Sequence, residues 1–168
     1  VEVVPVPRAY TVIIDYAHTP NALENILTTA RGFTAGRLIC LFGCGGDRDR
    51  GKRPIMGAVA GELADVVVVT SDNPRTEDPE AIIGEILAGM EQTEAALHVE
   101  PDRKAAIAWA LEQGRPGDVI VLAGKGHETY QETGGVQHHL DEREVVAAYF
   151  APGEARQERT GKVQANVI

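Results

Sequence analysis

The segment at positions 72–75, Asp-Asn-Pro-Arg, carries residue types that can bind a small charged molecule. The guanidinium of Arg75 can grip a carboxylate through two parallel hydrogen bonds, and Asn73 adds a neutral amide beside it. The segment directly follows the apolar run 66–70, which we predict to be a buried strand. Open α/β sheets bind ligands at the ends of such strands, so we expect a ligand contact here. The alternative is a plain turn in which the arginine pairs with Glu77 at the surface.

A second polar segment, from Gly124 to Glu128, follows another apolar run. The carboxylate of Glu128 could hold an ammonium group, and the glycines would allow backbone carbonyls to approach it. The alternative is a salt bridge from Glu128 to Lys125 or Arg143. Together with the segment 72–75, this pattern favours a pocket for a small zwitterion that carries an extra carboxylate.

A glycine-rich, basic stretch lies at positions 43–54 and precedes a predicted helix. Its spacing Gly46-x-x-x-x-Gly-Lys resembles a phosphate-binding P-loop, but Arg53 stands where such a loop needs a Ser or Thr hydroxyl for Mg²⁺. Helix N-termini attract anions, so this stretch, which includes Arg48, is expected to contact a phosphate or a carboxylate. A true P-loop and a solvated charged loop are the alternatives.

Two residues near the end of the first predicted strand could contact a nucleotide. Asp15 could accept hydrogen bonds from ribose hydroxyls, or it could cap the following helix. His18 could contact the nucleotide or act as an acid or base, or it could be purely structural. His138 and His139 are neighbours in a predicted strand and point to opposite faces, which makes them poor metal ligands, and we expect no metal site.

The elements that position these residues alternate between strand and helix. The strands are unbroken apolar runs, which indicates a parallel sheet covered on both faces. The helices are predicted from apolar residues with a 3.6-residue period that follow the capping residues Thr19, Asp78, Asp102 and Asp141. The predicted strands are 11–14, 37–42, 66–70, 97–99 and 118–123.

The expected fold is therefore α/β, with a mostly parallel sheet of about six strands flanked by helices. The stretch 130–140 is predicted to be a hairpin that adds one antiparallel edge strand. The four polar segments each follow a strand, so they should converge on the carboxyl edge of one sheet, and this is the main reason to expect a ligand site.

The bulk properties are those of one soluble globular domain: 168 residues, 43% hydrophobic and 24% charged. The net charge of −9 argues against a nucleic-acid surface. Neither a membrane span nor a secretory signal is evident, so we expect a cytoplasmic protein with Cys40 and Cys44 reduced.

We predict a folded domain at 1–152 and a polar, mobile tail at 153–168. The chain does not begin with methionine, which indicates a fragment or a processed form.

Taken together, these motifs resemble those of the Mur ligase family, and they occur in the family's order. The resemblance covers positions 12–130 and extends to 150. Each motif alone is weak, but the combination is specific. The matching segments are 15–20 (Asp-Tyr-Ala-His-Thr-Pro), 42–48 (Phe-Gly-Cys-Gly-Gly-Asp-Arg), 51–54 (Gly-Lys-Arg-Pro), 72–75 and 123–128 (Ala-Gly-Lys-Gly-His-Glu).

The resemblance implies a Rossmann-like domain, the third of three in a ligase that uses ATP to join an amino acid to a nucleotide-linked muramoyl peptide. In this family the peptide carboxylate becomes an acyl phosphate, which the incoming amine attacks. The Asp-Asn-Pro-Arg form of the motif goes with meso-diaminopimelate, whose distal carboxylate needs a fork such as Arg75. The implied acceptor is UDP-N-acetylmuramoyl-L-alanyl-D-glutamate, a peptidoglycan precursor.

The resemblance also carries site residues over to this chain, none of them catalytic. The family's P-loop, Mg²⁺ ligands and carbamylated lysine lie in a central domain that has no match here, and its N-terminal domain binds the UDP moiety. Domain closure would bring this sheet edge over the ATP. Asp15 and His18 would contact the nucleotide. Carboxylate contacts would come from Arg48, Asn73 and Arg75, with Asp72 in the same motif. Ammonium contacts would come from Gly124 and Glu128.

Two alternatives remain open. The chain could be a stand-alone binding module that has lost catalysis, which a reading frame upstream of Val1 without a Gly-Lys-Thr or Gly-Lys-Ser motif would favour. It could also belong to a sister ligase that adds lysine, although Arg75 would then lack a carboxylate partner.

Overall fold

The computed structural model describes residues 1–152, so the predicted tail at 153–168 lies outside the described residues. The strands are β1 (Glu2–Val4), β2 (Thr11–Asp15), β3 (Leu38–Phe42), β4 (Val66–Val69), β5 (Ala96–Val99), β6 (Val119–Ala123), β7 (Tyr130–Thr133) and β8 (Val136–His139). The helices are α1 (Pro20–Arg31), α2 (Lys52–Leu63), α3 (Pro79–Leu87), α4 (Arg103–Gln113) and α5 (Glu142–Phe150), and a single 3₁₀ turn, Ala88–Met90, follows α3.

Six strands form one sheet in the order β1-β2-β6-β3-β4-β5, parallel except for β1. This confirms the mostly parallel α/β architecture, and each predicted parallel strand ends within one residue of its expected bounds. Alternate residues of a strand face opposite layers, so Ile13 packs with the core beneath α1 and α2 while Val12 and Ile14 pack with the core beneath α4 and α5. Burial on both faces explains the unbroken apolar runs.

The antiparallel edge strand is not the one predicted. The hairpin β7–β8 forms a separate two-stranded sheet, and β1 supplies the antiparallel edge by pairing with β2. The hairpin has no buried residue in either strand and therefore no apolar face to add to the main sheet. It attaches instead through a bridge between Thr133 and Arg75, next to the polar segment 72–75.

The helix starts follow the predicted caps. Thr19, Asp78, Asp102 and Asp141 each accept a hydrogen bond from a backbone N–H of the first turn. The remaining helix, α2, begins after Gly51, which makes no side-chain capping hydrogen bond. Within residues 1–152, no helix combines the length and apolar character that crossing a membrane would require.

Candidate functional site

A cleft of about 560 Å³ opens at the carboxyl edge of the sheet, where the predicted segments converge. Its lining includes seven of the eight predicted site residues, and Asp15 is the one left out. The lining residues are Tyr16, His18, Thr19, Gly45, Arg48, Asp49, Lys52, Asp72, Asn73, Arg75, Gly124, Glu128 and Tyr130.

Asn73 presents a hydrogen-bond donor to this cleft. Its Oδ1 accepts two hydrogen bonds, from Lys125 Nζ at 2.9 Å and from the backbone N–H of Glu132 at 2.9 Å. Because both neighbours are donors, the amide orientation is determined and its NH₂ group is left for a ligand. An amide NH₂ in this position suits a carboxylate.

Arg75 is held in place by the hairpin. Its backbone adopts φ +53°, its N–H donates to the Glu132 carbonyl at 3.0 Å, and its carbonyl accepts from Gly134 N–H at 2.7 Å. The guanidinium Nη1 donates to the Gly46 carbonyl at 2.9 Å, and Nε lies 3.6 Å from Glu132 Oε2. The alternative of a surface pair with Glu77 is wrong, since Glu77 pairs with another arginine.

Lys125 organises the floor of the site, a role that the sequence did not reveal. Its side chain is fully buried, with Nζ 2.9 Å from Asn73 Oδ1, 3.4 Å from Glu128 Oε1 and 3.7 Å from Asp72 Oδ1. Burial lowers the pKa of Lys125, and the Asp72 carboxylate opposes that shift. The alternative pairing of Glu128 with Lys125 is therefore present, and the only earlier signal for this lysine was its place between two glycines after a buried strand.

Gly124 allows the segment 124–128 to lie close to the segment 72–75. Its φ is +114°, and a Cβ at this position would lie 2.6 Å from Asp72 Oδ2. Only glycine combines this backbone conformation with this close approach. The Asp72 carboxylate therefore lies directly against the segment that contains Glu128.

The glycine-rich stretch is pinned by a buried arginine and is not a P-loop. Arg53 is fully buried, donates to Glu77 through both terminal nitrogens at 3.0 and 2.8 Å, and donates to the Gly45 carbonyl at 3.0 Å. Arg53 thus stands where a P-loop needs a Mg²⁺-binding hydroxyl, and its side chain holds the loop in place instead. The Arg53 hydrogen bonds lower the pKa of Glu77 to about 2. Arg48 is exposed at the mouth of the cleft and donates to the Asp47 carbonyl.

The two residues expected near a nucleotide occupy different places. His18 is exposed at the cleft mouth, with Nδ1 2.9 Å from the Tyr16 carbonyl, and Lys52 Nζ donates to the His18 carbonyl at 2.8 Å. Asp15 does not line the cleft, and its Oδ2 accepts from Ala17 N–H at 2.9 Å. Asp15 does not cap α1, because Thr19 does.

No group of three or more His, Cys, Asp or Glu side chains in the described part of the chain is arranged to hold a metal ion. Cys40 and Cys44 are free and buried, as predicted, and burial raises the pKa of each thiol to about 12. His139 pairs with Glu144 at 2.7 Å and lies outside the cleft. The cleft combines cationic and amide donors with the carboxylates of Asp72 and Glu128, so its side chains offer partners to both a carboxylate and an ammonium group.

Several known proteins are similar to this chain in sequence and in fold. A curated 2,6-diaminopimelate ligase of Clostridioides difficile, named UDP-N-acetylmuramoyl-L-alanyl-D-glutamate–2,6-diaminopimelate ligase, is 53% identical over 145 residues, covering 86% of this chain and 30% of that protein. The enzyme of the same name from Thermosynechococcus vestitus is 60% identical over 134 residues, covering 80% and 27%. A solved structure with this name superimposes with a TM-score of 0.85 at 44% identity, covering 89% of this chain and 30% of the other.

The chain thus spans about 30% of the length of the curated relatives it matches. The family model described as Mur ligase, glutamate ligase domain, matches residues 1–126 of the 168. With most of its length matched to that model, and with a fold that agrees with the solved structure of this name, the chain belongs to the Mur ligase family.

Proposed function

We propose that this chain is the amino-acid-binding C-terminal domain of an ATP-dependent ligase that adds meso-diaminopimelate to UDP-N-acetylmuramoyl-L-alanyl-D-glutamate in peptidoglycan precursor synthesis. The observation that carries the proposal is the arrangement of charge in the cleft. The Asn73 amide and the Arg75 guanidinium offer donors on one side, and the Glu128 carboxylate offers an acceptor on the other. The names of the curated relatives support the same reaction.

In the proposed complex, one end of meso-diaminopimelate lies across this charge arrangement. Its carboxylate accepts hydrogen bonds from Arg75 and the Asn73 NH₂, with Arg48 at the mouth as a further cation. Its ammonium lies by Glu128 and the Gly124 carbonyl. Lys125 does not compete for the ligand carboxylate, because it is buried against three acceptors.

The part of this chain in the reaction is to bind and orient the amino acid. Holding one end leaves the amine at the other end free to attack the activated peptide carboxylate, and correct placement lowers the entropic cost of that step. Lysine lacks the distal carboxylate, so it would leave Arg75 partly unpaired in the cleft. A stand-alone binding module is disfavoured because the named relatives are more than three times as long as the matched region.

ATP and Mg²⁺ belong to the proposed reaction, with Mg²⁺ assigned to the other domains of the enzyme. When bound, ATP supplies the phosphoryl group that activates the peptide carboxylate. Residues of this chain that fit a nucleotide are His18 and Lys52, which line the cleft, and Asp15, which is the last residue of β2 and lies outside the cleft lining. ATP and nucleotide-linked sugars are made in the cytoplasm, and we place the reaction there.

The test is an NMR titration of this chain with meso-diaminopimelate, L-lysine and ATP in separate series. We expect amide shifts with meso-diaminopimelate centred on the segments 72–75 and 124–128, and much weaker shifts with lysine. A response to lysine as strong as that to meso-diaminopimelate would contradict the assigned specificity. The full-length enzyme provides the second measurement, since it should form a product with meso-diaminopimelate and ATP and form little with lysine.

A further inference from the structure

Arg103 connects the backbone next to two segments that line the cleft, 72–75 and 124–128. Its side chain is completely buried at the start of α4 and donates to two backbone carbonyls, Ser71 through Nη1 at 2.9 Å and Ala123 through Nη2 at 2.9 Å. Ser71 immediately precedes Asp72, and Ala123 immediately precedes Gly124. The same guanidinium is thus hydrogen-bonded to the backbone just before each ligand-binding segment.

The two carbonyls lie at or just beyond the ends of strands that are not neighbours: Ala123 is the last residue of β6, and Ser71 lies two residues after β4. In the sheet, β3 lies between β4 and β6, so no ladder hydrogen bond connects the end of one with the end of the other. Arg103 spans this gap, and its planar guanidinium imposes a rigid separation that a flexible ammonium could not. Together with the contacts of Lys125 between the same two segments, Arg103 therefore holds the carboxylate-binding and ammonium-binding segments at a fixed distance.

Glu142 holds the guanidinium in its orientation. Its Oε2 accepts from Arg103 Nε at 2.8 Å, both side chains are fully buried, and Glu142 is the first residue of α5. Replacing a buried ion pair with apolar groups is often neutral or stabilising, so stability alone is a weak reason for such a pair. Its geometry, with all three guanidinium nitrogens engaged, favours a positioning role.

We propose that Arg103, clamped by Glu142, is a positioning residue that sets the spacing between the segments 72–75 and 124–128 and thereby matches the cleft to the length of the amino acid. This inference rests on the proposed function. A displacement of about 1 Å at a binding site can cost on the order of a hundredfold in rate. Changes in the spacing should therefore appear in amino-acid recognition before they appear in the use of ATP.

The experiment uses full-length enzyme with Arg103→Lys, measuring kcat and KM for each of the three substrates. Lysine keeps the charge but cannot bond both carbonyls and Glu142 in the same plane. We expect KM for meso-diaminopimelate to rise about tenfold or more, with KM for ATP changed less than about twofold. We also expect a smaller preference for meso-diaminopimelate over the diamino dicarboxylate that is one methylene shorter.

Arg37→Lys is the matched control. Arg37 also donates to a carboxylate, Asp118 Oδ2 at 2.8 Å, and to a backbone carbonyl, that of Gln113 at 2.8 Å, but at the opposite edge of the sheet. It should lower thermal stability without changing KM for meso-diaminopimelate. If Arg103→Lys does not fold, Glu142→Gln removes the negative charge that holds the guanidinium while leaving both carbonyl bonds possible, and it should raise the same KM by a smaller factor.

The outcomes separate the two proposals. If the wild-type enzyme makes no product from meso-diaminopimelate, the proposed function fails. If the wild type is active and the folded Arg103 or Glu142 variant keeps the wild-type KM and length preference, only the positioning role fails. A uniform rise in KM for all substrates, matched by Arg37→Lys, would also overturn it, because it would show a general loss of stability.

Discussion

Replacing Arg75 with alanine tests the specificity argument most directly. In the structure, Nη1 of Arg75 is bonded to the Gly46 carbonyl and Nε faces Glu132 at 3.6 Å, so Nη2 and the second N–H of Nη1 are the groups offered to a ligand. A hydrogen bond to a charged group contributes about 1.5–3 kcal/mol. Losing the interaction with the distal carboxylate should therefore cost about 2 kcal/mol, or about 30-fold in kcat/KM for meso-diaminopimelate.

The same substitution should barely affect lysine. Lysine has no distal carboxylate to lose, so its poor kcat/KM should change by less than about threefold. The ratio of the two specificity constants in full-length enzyme is thus the measured quantity, and it should fall about 30-fold. Any general effect of the mutation on folding or domain closure cancels in this ratio.

Arg31→Ala controls for the loss of an arginine with similar partners. Arg31 donates to the Leu63 carbonyl and to Asp65, both at 2.9 Å, but it lies outside the cleft. It should leave both specificity constants unchanged. Equal losses for meso-diaminopimelate and lysine in Arg75→Ala, or no loss at all, would refute the assignment of Arg75 to the distal carboxylate.

Three further predictions concern the support of the site. Lys125→Met should lower the free energy of unfolding by about 3 kcal/mol or more, because it leaves the buried Asp72 carboxylate without its cation; a loss below about 1 kcal/mol in urea denaturation would contradict this. Gly124→Ala should weaken binding of meso-diaminopimelate by displacing Asp72, whereas Gly135→Ala, also at positive φ but with no atom within 4 Å, should cost only backbone strain. Equal binding by the two variants, compared by NMR titration, would exclude the contact as the cause. The folded pKa of Glu77, about 2, lies below its ordinary 4.5, so its stabilisation is fully present above pH 4.5 and is lost as the pH falls towards 2. Glu77→Gln should therefore flatten the acid side of the profile of melting temperature against pH, and parallel profiles for the two proteins would disprove the linkage.

The sheet and helices followed closely from local sequence features. Strands such as β6 are continuous apolar runs because both faces are buried, and helix starts such as those at Thr19 and Asp102 carry their capping residue in the sequence itself. The residues that form the hairpin were also predicted correctly, but its predicted position at the edge of the main sheet was wrong. Its strands have no apolar pattern that would assign them to a sheet, and their position is given by hydrogen bonds to Asn73 and Arg75 that the sequence does not predict.

The sequence by itself determined which segments reach the cleft and which ligand chemistry they offer, because strand periodicity sends all four segments to one edge and Asn73, Arg75 and Glu128 have distinctive side chains. Only the tertiary structure decided how those side chains are held. Lys125 meets Asn73 across 52 residues of chain, and Arg103 meets Ala123 across 20 and Ser71 across 32. Such contacts depend on where strand ends and helix starts lie relative to one another. Local periodicity and capping carry no information about that placement, so the partners of a buried polar side chain can be identified only in the complete fold.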